Sequence, residues 1–165
     1  MSRLIECLPD AVTVWSFNFM IMDLDGANGQ PEGAEDLWEL SDRANRTDWF
    51  LTTANVAVVT SQADSWHVVD VTLELWDGRP PADDDRWSRS ETAELYSSSG
   101  RLQVVGVYGH SSGNLMDLRD QARNWFVHAS VRPGPGARYR REQPPEGLET
   151  YRLQFWPTQP SPSVP

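Results

Sequence analysis

No lysine occurs in this chain. All 14 basic residues are arginine, they face 24 aspartates and glutamates, and the formal charge is −10. A surface of that sign repels nucleic acid and anionic lipid and attracts basic proteins or cations, so neither nucleic acid nor a membrane is expected as a partner. Cysteine is nearly missing too: Cys7 stands alone, which excludes an internal disulfide and a cysteine-based metal knuckle. The three histidines, His67, His110 and His128, are too few and too scattered to spell a metal site by spacing, and no cofactor is expected. Long apolar runs are absent as well; none approaches the roughly 18 residues that a membrane helix needs. The opening "MSRLIECLPDAVTVWSFNFM" lacks a signal peptide's order of basic start, apolar stretch and small-residue cleavage site. The expected location is the cytoplasm.

What remains is globular and aromatic. With 165 residues, 39% of them apolar, the chain is long enough for one domain with a real core. Eight tryptophans make that core, or a binding face, unusually aromatic. Charge is spread unevenly: residues 1–100 hold 19 acids and 6 arginines, a net −13, whereas residues 101–165 hold 5 acids and 8 arginines, a net +3.

Alternation with a period of two dominates the pattern. "VTVWSFNFMIMD" (12–23) and "FLTTANVAVVT" (50–60) are apolar on both alternating sets, as central strands are. In "HVVDVTLELW" (67–76), Val69, Val71, Leu73 and Leu75 point one way and Asp70, Thr72 and Glu74 the other, the mark of a half-buried antiparallel strand. "ETAELYS" (91–97) and "RLQVVGVYG" (101–109) flank a hairpin-type "SSG" turn. "NWFVHASVR" (124–132) and "TYRLQFW" (150–156) complete the set. Leu37, Leu40 and Ala44 fall at helical spacing within residues 34–45, while "NLMDLRDQAR" (114–123) fits either a helical turn or a long loop. The expected fold is all-β: an antiparallel two-sheet sandwich of seven to eight strands over residues 1–156, with a short helical insertion at 34–45. The proline-rich tail at 157–165 is expected to be disordered.

Few segments advertise chemistry. "GHSSG" (109–113) satisfies G-x-S-x-G with Ser111 in the nucleophile slot, after a strand and before a possible helix. With His128 and Asp117 or Asp120 downstream, it supports an alternative reading as a small serine hydrolase. The chain is shorter than the parallel sheet that normally carries such an elbow, and no donor loop of the HGGG kind lies upstream. His67 and His128, each in an expected strand, would have to meet across a sheet with Asp70 to hold a divalent ion. "DLDGANGQPEGAED" (23–36) has some calcium-loop flavour in Asp23, Asp25, Asn28 and Glu32, but Ala34 stands where the twelfth-position glutamate belongs. Trp38, Trp49 and Trp87 fall near element ends and are the candidate platforms for a sugar-binding sandwich. "RPGPGARYRRE" (132–142) is a basic loop that can clamp an anion or neutralise the protein's own acids.

The layout of "VWSFNFMIMD", "VTLELWDGRPPADDDRW", "SSGRLQVVG" and "YRLQFWP", across residues 11 to 157, resembles the competence protein J family of small bacterial β-sandwich proteins, which inhibit a competence nuclease. The resemblance implies an acidic sandwich that binds and blocks a basic protein. Charge points the same way. On this reading the protein is a non-enzymatic binding module of the inhibitor or immunity type. Asp83, Asp84 and Asp85, with Asp77 nearby, steer a basic partner such as a nuclease, and Trp76 and Trp87 anchor it.

Overall fold

A computed structural model describes residues 1–82 and 86–158. Along them run β1 (Leu4–Trp15), β2 (Asn18–Asp23), a 3₁₀ turn (Gly26–Gly29), α1 (Leu37–Thr47), β3 (Phe50–Thr53), β4 (Val56–Thr60) and β5 (Trp66–Trp76). β6 (Arg89–Ser97), β7 (Arg101–Gly106), β8 (Met116–Asp117), β9 (Arg123–Pro133) and β10 (Glu146–Pro157) follow.

β5 keeps the face assignment its alternation dictates, with Val69, Val71, Leu73 and Leu75 buried and Asp70 exposed. Each such aliphatic side chain contributes about 1.5–3 kcal/mol by leaving water. Two long apolar runs, by contrast, are each two strands. The 12–23 run breaks at Ser16 and Phe17, both at positive φ (49° and 69°), and the 50–60 run breaks before Asn55 at φ 67°. Such tight turns usually carry Asn-Gly or Asp-Gly. Ser-Phe offers no such signal.

The strands form one mixed sheet in the order β3-β4-β2-β1-β5-β10-β9-β6, with β7 paired to the other side of β2 and β8 to β7. The sheet folds over at the β1–β2 corner, where a single residue pair, Trp15↔Asn18, carries the pairing. Its end strands then meet: the Thr52 hydroxyl of β3 donates to the Glu94 carbonyl of β6 at 2.6 Å, and the Asn55 N–H donates to the Tyr96 carbonyl at 2.7 Å. The result is a nearly closed, barrel-like sheet, rather than the two separate antiparallel sheets that the period alone suggests. Among the described residues one pairing is parallel, β10 with β5, in register Tyr151↔Val71. Alternation reports burial of a face and says nothing of the neighbour's direction. The "SSG" segment is likewise no hairpin. Gly100 takes positive φ (73°) as expected, but β6 pairs with β9, and β7 with β2 and β8.

α1 starts where Asp36 caps it, its carboxylate accepting the Trp38 N–H at 2.9 Å. Leu40 and Ala44 then pack with Met20, Val56 and Val58 in a small second core outside the sheet. The 114–123 segment is a loop carrying the two-residue β8. At the chain's end β10 runs to Pro157, and the Thr158 hydroxyl donates to the Asn124 carbonyl at 3.0 Å. Residues 159–165 of the expected tail lie outside the described residues.

Closure depends on Asn55, fully buried between the 3₁₀ turn and the β6–β7 turn. Its amide donates to the Gly26 carbonyl and the Ser98 hydroxyl, both at 2.9 Å, and its side-chain oxygen accepts the Ser98 N–H at 2.9 Å. Asn55→Ala should cost about 3 kcal/mol or more in urea denaturation, because buried partners lose their bonds and alanine resists positive φ. Asn55→Gly, which restores the backbone preference alone, should recover about 1 kcal/mol of that loss.

Candidate functional site

The GHSSG segment is built as a return along the edge of β7. Ser111 bridges back to Val105 in antiparallel fashion, and β8 then pairs Met116 with Leu102 and Asp117 with Arg101. The Gly106 N–H donates to the His110 carbonyl at 2.9 Å, and any side chain at Gly106 would collide with the His110 ring. The glycines and serines serve a tight reversal, not a strand-to-helix elbow. The Ser111 hydroxyl donates to the Gln103 side-chain oxygen at 3.2 Å, and Asp117 accepts the Arg119 N–H at 2.8 Å. His128 sits on β9, beside β6 and β10, with its Nδ1 bonded to the Thr92 hydroxyl at 2.7 Å. Ser111 and His128 are thus on different parts of the sheet and are not brought together. The lone thiol is no better placed for nucleophilic work: Cys7 is exposed on β1, and partial burial, then Glu74, raise its pKa.

Between β5 and β6, the described residues 77–82 and 86–88 lie against the outer face of the sheet. Pro80, Pro81 and Ala82 lie over Thr92, His128, Gln154 and Trp156 around a cavity of about 250 Å³. At the far end Trp87 is clamped by two guanidinium groups, Arg132 at 4.9 Å and Arg152 at 4.6 Å from its ring centroid. Asp77 is also engaged. It accepts the Arg3 N–H at 2.7 Å and lies 3.9 Å from the Arg3 guanidinium, fastening the start of β1 to the end of β5. The Trp76 indole donates to Glu74 at 2.9 Å, and Glu74 also accepts from Gln154 at 2.8 Å. Asp83, Asp84 and Asp85 lie outside the described residues, between the exposed Ala82 and Arg86. Of the proposed anchors, Trp87 therefore holds the strap to its own sheet.

The remaining candidates separate in the same way. His67 and His128 stand on opposite faces, one inside the barrel and one outside. Asp23 and Asp25 of the calcium-like loop accept from Ser97 at 2.5 Å and from Ser98 at 2.7 Å, so both carboxylates are used in tying turns together. Among the described residues no three metal-ligating side chains converge. Arg138 of the basic loop pairs with Glu146 at 3.4 Å and Arg141 with Glu142 at 3.8 Å. Trp49 is buried with Arg89 over its ring at 4.8 Å. Of the three candidate platforms, Trp38 is the one with an exposed ring.

Sequence reasoning missed a buried polar cluster where β4 ends and β5 begins. The Ser61 hydroxyl donates to Glu149, and Tyr151 donates to the same carboxylate oxygen at 2.9 Å. His67 Nε2 lies 2.8 Å from the Ser61 oxygen. Because Ser61 donates to Glu149, His67 must donate to Ser61, which leaves Nδ1 as a bare acceptor; among the described residues it has no partner. A catalytic triad needs the reverse, with serine giving its proton to histidine and the acid holding the other nitrogen. This group plugs the barrel end. It was invisible because Ser61 and Glu149 stand 88 positions apart, and no local spacing links the two halves of the cluster.

Solved structures share the fold. ComJ from Bacillus subtilis, described as an inhibitor of the DNA-degrading activity of NucA, aligns with a TM-score of 0.59 over 96% of this chain and 99% of its own, at 9% sequence identity. The fold is ComJ-like. The protein of crocagin biosynthetic gene J aligns with a TM-score of 0.58 over 94% of this chain and 100% of its own, at 11% identity. At these identities the likeness is one of fold alone. No family model matches the sequence, and no curated protein matches it significantly.

Two outcomes follow from the ComJ-like scaffold's internal bonds. Burial holds the His67 imidazole below its ordinary value of 6.5 against the opposing pull of Glu149 and Asp64. Stability should be full above about pH 6.5 and fall as the pH drops below it, because the unfolded chain takes up a proton that the folded chain refuses until its own lower pKa is passed. Thermal melts should show that decline, and His67→Gln should flatten it; an unchanged slope would exclude His67 as its origin. Trp87→Ala should release the strap, and limited proteolysis with trypsin should then cut after Arg86 well before the rest of the chain.

Proposed function

We propose that this chain is a non-enzymatic binding module of the inhibitor or immunity type that occupies and blocks a basic protein, with a nuclease as the leading class of target. The observation that carries the reading is the match of fold along essentially its full length to ComJ, an inhibitor of a DNA-degrading enzyme. Charge supports it: at −10, the chain suits a partner whose own site is cationic, as sites that handle nucleic acid are. An inhibitor of such an enzyme fills a cationic cleft with carboxylates, which speeds encounter and rejects wrong partners.

In this reading Asp83, Asp84 and Asp85, which follow Ala82 and precede Arg86 in the sequence, steer the partner. Trp87 and Asp77 keep the strap from β5 to β6 in place, and Trp76 flanks it. The site of action is the cytoplasm. The hydrolase alternative loses ground because the hydroxyl of Ser111 and the ring of His128 are engaged on separate strands.

Capture of partners from host lysate by the tagged full chain, at low and high salt, tests the proposal. One stoichiometric basic protein should be retained at low salt and weakened by salt. Replacing Asp83, Asp84 and Asp85 with asparagine should slow association about tenfold at low ionic strength and change dissociation little. Binding that ignores both salt and the triple substitution would sink the steering role. Ser111→Ala should leave binding untouched, and loss of an ester-hydrolysing activity on that substitution would instead establish the alternative.

A further inference from the structure

β2 is apolar on both faces, and only part of its outer face is covered. Towards β4, α1 lays Leu40 and Ala44 over Met20 and Val58. Towards β7 the cover stops. A groove of about 490 Å³ opens there, floored by Met20, Met22 and Val105, with Trp38 of α1 on one wall and Tyr108 of the turn after β7 on the other. These two rings are 69% and 72% exposed, so neither fills a core. Tyr108 is nevertheless held in place, packed edge-on against Trp15 at 5.5 Å, with Trp15 against Trp66 at 5.8 Å. At the groove's end lies Ser16 of the β1–β2 turn. The residue after it is Phe17, 47% exposed and at a φ of 69°, a backbone region that a bulky side chain adopts only against resistance. Fold alone would favour Asn-Gly at that turn.

Rigid, exposed aromatics around a methionine floor are the composition of an interaction hot spot. The wall also carries a charge. Asp42 lines the groove one helical turn after Trp38, and its partner Arg46, at 2.7 Å, is itself 72% exposed. A pair in that setting contributes little and exchanges readily. A second copy of this chain, also at −10, is repelled by the same charge that attracts a cation.

We propose that this groove is where the basic protein partner seats a large apolar side chain, flanked by an arginine or lysine that displaces Arg46 from Asp42. The proposal rests on the inhibitor-type reading and names the surface that supplies its affinity, with the aspartates of the strap supplying rate. Selection of random dodecapeptides displayed on phage, run on the wild-type chain and on a Trp38→Ala, Tyr108→Ser double variant, tests it. Enriched sequences should carry Leu, Met, Phe or Trp beside Arg or Lys. Their affinity should fall about tenfold or more on the double variant, and severalfold on Asp42→Asn. On the wild-type chain the indole resonance of Trp38 should move when a selected peptide is added, a readout that does not depend on how the variant folds. An absence of enrichment, peptides without basic residues, an unmoved Trp38 resonance, or a homodimer that the double variant abolishes would each overturn the proposal. The two readings fail separately. A full-length partner captured equally by wild type and double variant removes the groove and keeps the inhibitor. Successful selection with no partner captured removes the inhibitor and keeps the groove.

Discussion

Everything in this fold hangs on how a long sheet closes on itself without a complete ladder between its end strands. The task falls to a few polar groups around Asn55, whose backbone and side chain together engage the carbonyls of Tyr96 and Gly26 and the N–H and hydroxyl of Ser98. Asp23 adds to this from β2, accepting the Ser97 hydroxyl and the Ser99 N–H. Buried donors and acceptors that are all satisfied lock one geometry, because any alternative leaves some of them bare. The far end of β4 is also closed by polar groups, although there the Nδ1 of His67 is left bare among the described residues. Ser61, His67, Glu149 and Tyr151 form a second polar plug, and apolar side chains fill the space between.

Between the two plugs the interior is packed with the aliphatic and aromatic side chains of one core, Val71, Leu73, Tyr151 and Phe155 among them. Two features stand on the outside of the barrel. One is the strap from β5 to β6, pinned by Trp87 between Arg132 and Arg152. The other is the aromatic groove beside α1. Arginine serves both roles that a lysine-free chain needs from its cations, stacking on tryptophan and pairing with carboxylates.

Much of the strand content was legible because alternation is a direct record of burial. β5 keeps the faces its pattern assigns, and α1 falls within three residues of the expected insertion at each end, since Leu40 and Ala44 record the helical period. Turn geometry was less legible. Ser16–Phe17 carries no turn signal, so one strand was read where there are two. Pairing was less legible still: nothing local tells β10 to lie parallel to β5, or tells β6 and β7 to part at Gly100. The site was read in fragments. The aspartate-rich strap was picked out by charge, and Trp38 by its place near a helix end. Tyr108 passed unnoticed among the neighbours of a glycine turn, and the Ser61–His67–Glu149 cluster has no local spacing that could reveal it.

The parallel strand has a consequence for how this chain is made. β10 follows the other nine strands in the chain, yet it occupies the middle of the sheet, between β5 and β9. Until it arrives, those two strands carry facing, unpaired edges, and the inner positions of Tyr151, Leu153 and Phe155 are empty. Nascent chains stalled at that stage would expose the kind of open β-edge that recruits other chains. Assembly of this barrel therefore ends with an insertion, and the quality of that last step decides whether a newly made copy becomes a closed barrel or a seed for aggregation.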